Sequence, residues 1–370
     1  SGRNGGFCCI GGSKLDYEEM RRKFGEEETR QFFEIQKQSV NYVANLLAEN
    51  QIEADVTEPG ELCFAHSAKA RTALLEEQNF LNNAFDAGIE YREVDELNET
   101  GFTSANSHGA SFNPVGFGLH PLKYTRGLAK AADKAGVRIL ENTRLLSWQH
   151  DGKGIVVKTE NLTINTSQIV FATNGYTPEN VIPALKGKTL PAMSSIMTTR
   201  PLTEDELDSQ GWTRQMLAFD SRILLHYFRL LPDNRILLGG RGGTDPTDRA
   251  LPELQKKIRT AFEEFFPQLT HVETSHFWRG FVCLSRNLTP YIGALDEVNK
   301  IWTCLAYHGN GVALGSWSGQ ALAHQIAGKS PDMRLPRILT GKMGKFPLPM
   351  LRRHYLKAAY LHYGLKDRFS

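Results

Sequence analysis

The stretch Tyr307-His308-Gly309-Asn310-Gly311 stands between an apolar run at 301–306 and a helical pattern at 312–328. A strand that enters a helix through glycines leaves the first helical N–H groups unpaired and aimed at whatever lies above the turn, a setting that suits negative charge. Glycine at 309 and 311 opens positive φ and lets a planar ring approach the backbone where a Cβ would hold it off. The same letters also fit an ordinary strand-to-helix connection. His308 has two readings, a group that orients a ligand or a histidine satisfied by backbone.

Two other segments share that character. Ser1-Gly2-Arg3-Asn4-Gly5-Gly6 is glycine-dense, with Arg3 for charge and Asn4 for hydrogen bonds, and Ala172-Thr173-Asn174-Gly175 closes a β-rich run in small residues. Groups for a small polar ligand fall on two further runs. Alternation along a strand at 226–229 puts His226 and Phe228 on one face, Tyr227 and Arg229 on the other. An arginine beside a tyrosine clamps a carboxylate through two N–H bonds with a phenol bond added, or else forms a surface ion pair. Trp278, next to Arg279, is an aromatic wall or a core residue.

Positioning these groups takes more than one unit. At 370 residues the chain exceeds the usual size of a single core, so two domains interleaved in sequence are expected. Phe32, Phe33, Ile35, Val40, Val43, Leu46 and Leu47 share one face of a helix predicted over 26–50. Helices are also expected at 68–86 and 121–136. Short β-rich runs follow at 137–140, 143–151, 154–160, 161–166 and 168–173, the last a buried strand whose carboxyl end faces a ligand crevice. Residues 191–281 read as antiparallel strands with a helix at 252–266 laid against them. The polar segment 100–113 reads as a lid or pocket lining. Beyond 341 the tail is basic and amphipathic, expected to pack on its own domain, with contact to a membrane surface as the alternative.

Composition narrows the partners. With 41% hydrophobic and 23% charged residues and a formal net charge of +2, nucleic acid is not the expected partner. No apolar run is long enough to span a bilayer, and the first residues do not read as a secretory leader. Cys8, Cys9, Cys63, Cys283 and Cys304 form no CxxC, so neither a disulfide framework nor a metal site is expected, and a reducing cytoplasm fits. The adjacent Cys8 and Cys9 read as small buried hydrophobes, with a redox pair or a cofactor thioether as the alternative.

SGRNGG at 1–6, QIVFATNGYTP at 168–178 and LAYHGNGVALGSWSGQALAHQIAG at 305–328 together resemble the FAD-dependent amine and D-amino acid oxidase family. Its members include glycine, sarcosine and γ-glutamylputrescine oxidases. The likeness covers nearly the whole chain, and SGRNGG with the final PLP-LRR-YLKAAY-YGLKDR looks most like the γ-glutamylputrescine oxidase branch. The resemblance implies an α/β fold: an FAD-binding Rossmann-like domain, N-terminally incomplete, with an interleaved α+β antiparallel-sheet substrate domain. Family members open with a strand, a GxGxxG turn and a helix that hold the ADP pyrophosphate. No GxGxxG opening a helix occurs here, and GGRGG at 239–243 lies in a hairpin context. The chain is therefore expected to begin inside the domain, leaving the helix at 26–50 with less to pack on and flavin retention open. Expected boundaries are 1–50, 114–190 and 282–340 for the FAD-binding domain, 51–113 and 191–281 for the substrate domain, and 341–370 for the tail.

By resemblance, Gly309, Asn310, Gly311 and Val312 present N–H groups to flavin N1 and the C2 carbonyl. Ser1, Gly2, Arg3, Asn4, Gly5 and Gly6 lie along the flavin and pyrophosphate, and Ala172, Thr173, Asn174 and Gly175 make a second flavin contact. Leu146 packs on the adenine or belongs to the core. His308, Tyr227, Arg229 and Trp278 are the candidate catalytic and substrate groups. The implied reaction is hydride transfer from the C–N carbon of a small amine or amino acid (γ-glutamylputrescine-, glycine- or sarcosine-like) to flavin N5, the imine then hydrolysing and oxygen or a quinone taking the electrons. Two other readings stand beside it: a flavin-free fragment without catalysis, and an FAD-dependent hydroxy-acid or glycerophosphate dehydrogenase.

Overall fold

The computed structural model describes residues 1–105, 107–329 and 334–369; Asn106 of the expected lid and residues 330–333 of the expected FAD-binding half lie outside them. In chain order the elements begin with β1 (Phe7–Cys9), α1 (Tyr17–Phe24), α2 (Glu26–Glu49), β2 (Pro59–Phe64), α3 (Ala68–Phe85), β3 (Glu90–Arg92), α4 (Val94–Glu99), β4 (Ala110–Gly118) and α5 (Pro121–Lys134). There follow β5 (Leu145–His150), β6 (Ile155–Thr159), β7 (Thr163–Thr166), β8 (Ile169–Phe171), β9 (Thr189–Thr199), α6 (Glu204–Gln210), β10 (Leu217–Asp220), β11 (His226–Leu230) and β12 (Ile236–Arg241). The chain closes with α7 (Leu251–Phe265), β13 (Thr274–Ser285), β14 (Tyr291–Asp296), β15 (Ile301–Leu305), α8 (Ala313–Ala327), α9 (Arg337–Thr340) and α10 (Arg352–Phe369).

The largest sheet runs β1-β4-β2-β10-β11-β12-β9-β13, with β3 also paired to β4, and only its β2–β10 pair is parallel. Strand alternation divides its faces. On β11, Phe228 turns toward α7 and joins Trp212, Phe262, Phe265 and Phe266 in an aromatic core, while Tyr227 turns the other way. Helix α7 fits that core because Leu254, Ile258, Ala261, Phe262 and Phe265 recur at helical spacing behind a proline in the first turn. The sheet crosses the expected domain boundaries, since β1 pairs with β4 and β4 itself runs through 113/114.

A small sheet, β14-β15-β8, carries the turn that opened the sequence reading; β15 and β8 run parallel. Helix α8 follows β15 and packs on α2. The helix at 26–50, expected to have less to pack on, buries Phe32, Phe33, Ile35, Val40, Val43 and Leu47: Phe32 and Ile35 cluster with Leu314 and Trp317 of α8, Val40, Val43 and Leu47 with Cys8 of β1, and Phe33 with Leu81 and Phe85 of α3. Only β15 pairs with β8 among the described residues. The run 137–140 forms no strand either, and Val137 and Ile139 stay exposed, because no neighbouring strand accepts its ladder bonds. The tail forms α10, which packs Leu356 and Tyr360 onto Leu190 and Ala192 of β9. Among the described residues no helix is long and apolar enough to cross a membrane.

Candidate functional site

Parallel pairing makes β8 and β15 end on the same side, so their following bends lie next to each other. After β15, Ala306, His308 and Gly309 all adopt positive φ (65°, 52° and 117°). Helix α8 then starts without a side-chain cap. Among the described residues the amides of Gly309, Gly311 and Val312 donate to no acceptor, whereas that of Asn310 donates to Tyr307 O at 3.0 Å. Asn310 is thus not one of the free donors the resemblance implied. A Cβ on Gly309 would meet nothing within 4 Å, so this backbone faces open space.

The second bend touches the start of this turn, and the first bend touches the second. The Oδ1 of Asn174, itself at φ 42°, accepts from Ala306 N at 2.9 Å. Asn310 Nδ2 donates to Ile10 O at 2.8 Å, tying the turn to the segment after β1. Arg3 Nη2 donates to Tyr176 Oη at 3.2 Å, joining the first bend to the second. The Asn4 side chain closes its own bend, donating to Ser1 O and accepting from Gly6 N, so it is spent there and does not reach a ring edge. Gly2 lies against Leu122, Gly5 against the Tyr227 ring, and Gly175 against Phe281 O, each too close for a side chain. Thr173 Oγ1 shares a 2.9 Å bond with Thr177, and Ala172 is exposed past the end of β8.

The substrate candidates divide. Trp278 Nε1 donates to Arg3 O at 2.7 Å, which sets this half-buried ring across the first bend. Tyr227 packs edge-on against Phe7 and shares a 2.9 Å bond with Ser194 Oγ; burial pushes its phenol up to about 12, so it stays protonated. Arg229 is corrected as a carboxylate clamp. It is 2% exposed, and its guanidinium is wedged where a Cβ of Gly6 or Gly118 would stand, donating to Leu119 O at 2.7 Å. His308 is corrected as well: its Nε2 accepts from Ser285 N at 3.1 Å and its Nδ1 donates to Gly12 O at 2.9 Å. Burial brings it down to about 3, so it is a neutral structural histidine. Leu146 is 48% exposed, outside any core.

Behind the first bend, burial raises Glu61 to about 8, next to the thiol of Cys9. Burial also drives Cys8 and Cys9 upward, keeping both as inert thiols. All five cysteines are free, and no metal-binding group of His, Cys, Asp and Glu occurs among the described residues. Sequence reasoning missed Tyr176, whose signal was that it follows Gly175 directly.

Comparison with known proteins places this geometry. The family described as DAO, FAD dependent oxidoreductase, matches residues 1–325. The chain is 28% identical to a protein named probable oxidoreductase OrdL from Rhizobium meliloti (strain 1021), covering 100% of this chain and 84% of that one. It is 28% identical to the gamma-glutamylputrescine oxidoreductase of Escherichia coli (strain K12), again covering 100% and 84%. Its fold resembles the crystal structure of glycine oxidase from Geobacillus kaustophilus, with a TM-score of 0.73 and 17% identity over 93% of this chain and 89% of that chain.

Proposed function

Because the chain belongs to the DAO family of FAD-dependent oxidoreductases, we propose that it oxidises the C–N bond of a small amine or amino acid and holds its flavin across the three glycine-bearing bends. The observation that carries this reading is that the three bends are linked in series, Arg3 to Tyr176 and Asn174 to Ala306, ahead of the uncapped start of α8, where Gly309 leaves backbone open. The residues present fit such a group. Free amides at Gly309, Gly311 and Val312 suit charge on a pyrimidine edge, and Gly5, Gly6 and Gly175 let their bends pack closely on Tyr227, Leu119 and Phe281. When bound, FAD supplies the acceptor for two electrons.

The chain's own groups position the substrate and leave proton chemistry to a minimum. Tyr227, held protonated, donates a hydrogen bond, and Trp278 walls the crevice beside the first bend. His308 takes no proton, since both ring nitrogens are bonded. The amine therefore has to arrive neutral, so that its lone pair assists loss of hydrogen from carbon. The names of the relatives make γ-glutamylputrescine and glycine the substrates to try first, and the sequence resemblance adds sarcosine. Oxygen or a quinone takes the electrons, in the cytoplasm.

The test is a titration of the full chain with FAD followed by anaerobic mixing with γ-glutamylputrescine, glycine and sarcosine, and separately with 2-hydroxy acids and glycerol phosphate. Bleaching of the flavin by an amine supports the reading. Bleaching by hydroxy compounds alone, or no uptake of FAD, would overturn it.

A further inference from the structure

Helix α10 has an inner face that is covered and an outer face that is not. Leu356 and Tyr360 turn inward onto Leu190 and Ala192 of β9, Gly364 lies against Leu224, and Arg352 and Asp367 anchor the two ends. On the opposite side Leu351, Ala358, Leu361 and Leu365 recur at helical spacing. Leu361 and Leu365 are 65% and 57% exposed, and Met350, in the turn that leads into the helix, is 86% exposed. Single exposed apolar side chains are ordinary, but a ridge of them along one helix marks a surface that something covers. The helix lies beyond the family-matched residues 1–325, so that match does not account for the ridge.

Cations border it. Arg353 and Lys357 stand on one flank of the ridge and Lys366 on the other. At the foot of the helix Phe346 N donates to Gly187 O at 2.8 Å and Gly187 lies against Pro349, which brings Lys188 together with Lys342 and Lys345. Burial first, then Lys345 and Lys342, hold the Lys188 ammonium below the usual lysine range, so these groups repel one another. Among the described residues none of these cations forms an ion pair. The acids at hand are spent: Asp367 accepts from the amides of Ile223 and Leu224, and Glu179 holds Arg352.

An apolar ridge between rows of lysine and arginine is how a helix lies in a bilayer interface, its leucines beneath the headgroups and its cations among their phosphates. A second copy of the chain would bring the same excess of positive charge to the ridge, which opposes pairing. An acidic polypeptide would answer the cations and leave the leucines in water. We propose that the outer face of α10, with the lysines at its foot, is a docking surface for an anionic phospholipid bilayer, on which the helix lies without crossing it. Docking requires neither flavin nor substrate, so its success or failure is separate from that of the oxidase reading.

Flotation of the full chain with vesicles of phosphatidylcholine alone, and of phosphatidylcholine with about one third phosphatidylglycerol, tests the assignment. The anionic vesicles are expected to bind about tenfold tighter or more, and the gain should fade as salt rises from about 0.1 to about 1 M. Lys357→Gln with Lys366→Gln should weaken binding to anionic vesicles about tenfold or more, and Leu361→Asn with Leu365→Asn should do the same. Both pairs should keep the parent's melting temperature, because these side chains stand in solvent. Lys158→Gln and Val298→Asn, an exposed cation and an exposed apolar residue elsewhere, should change nothing. No binding to anionic vesicles, equal binding to both compositions, binding unchanged in both paired variants, or equal losses in the two control variants would overturn the assignment. So would dimerisation of the chain in sedimentation that Leu361→Asn with Leu365→Asn abolishes, which gives the face to a second copy. Binding of polyglutamate as tight as that of anionic vesicles would overturn it too, giving the face to an acidic protein.

Discussion

Gly6 and Gly309 both sit at positive φ, 76° and 117°, yet their surroundings predict opposite outcomes for the same substitution. A Cβ on Gly6 would collide with the carbonyl oxygen of Leu119 and lie 2.6 Å from Arg229 Nη2, so Gly6→Ala should disrupt the first bend and lower the melting temperature sharply. Gly309→Ala meets no atom within 4 Å and bears only the backbone strain, on the order of 1 to 3 kcal/mol. Gly309→Val should keep most of the fold while its branched side chain fills the space over the turn, cutting FAD retention at least tenfold. Thermal unfolding and FAD fluorescence read both quantities; full FAD retention in Gly309→Val would remove that turn from the cofactor site. These glycines were legible as letters because glycine is the residue a positive φ selects. Arg229 was legible only as to face: alternation places it beside Tyr227, and its depth beneath Gly6 and Gly118 depends on how two distant segments pack.

Strand β2 carries a pH dependence. Burial raises Glu61 from 4.5 to about 8, so the folded protein holds a proton that the unfolded chain gives up. The stabilisation is complete below about pH 4.5 and is lost as pH rises through about 8. Glu61→Gln keeps the shape and removes the titration, so urea unfolding at pH 5 and pH 8 should show the parent losing on the order of a few kcal/mol more than the variant. An equal loss in both would mean that Glu61 is solvated. Helical period found α2 and α7 because one-sided burial writes itself into spacing. It misjudged 137–140, whose β-rich letters give a strand only when a neighbour offers its ladder, and it gave no hint that β10 would insert beside β2.

Across the whole molecule α10 joins the two halves of the site. Near its start Arg352 Nη2 donates to Glu179 at 2.9 Å, close to the second bend, and near its end Asp367 accepts from Ile223 N and Leu224 N at 2.9 and 3.0 Å, just before β11. Asp367→Asn weakens the second anchor by about 1 kcal/mol or more, so amide exchange at 223–226 and along α10 should quicken about tenfold. Unchanged exchange would show that the helix is held elsewhere. At this scale the sequence carried more than its separate motifs promised, because three glycine-bearing stretches far apart in the chain are linked through Asn174 and Arg3. The central claim is that this meeting point is the flavin crevice. A crystal structure of the full chain with FAD tests it most directly: the account predicts the pyrimidine edge of the ring within hydrogen-bond reach of the Gly309, Gly311 and Val312 amides, and a ring bound away from all three bends would contradict it.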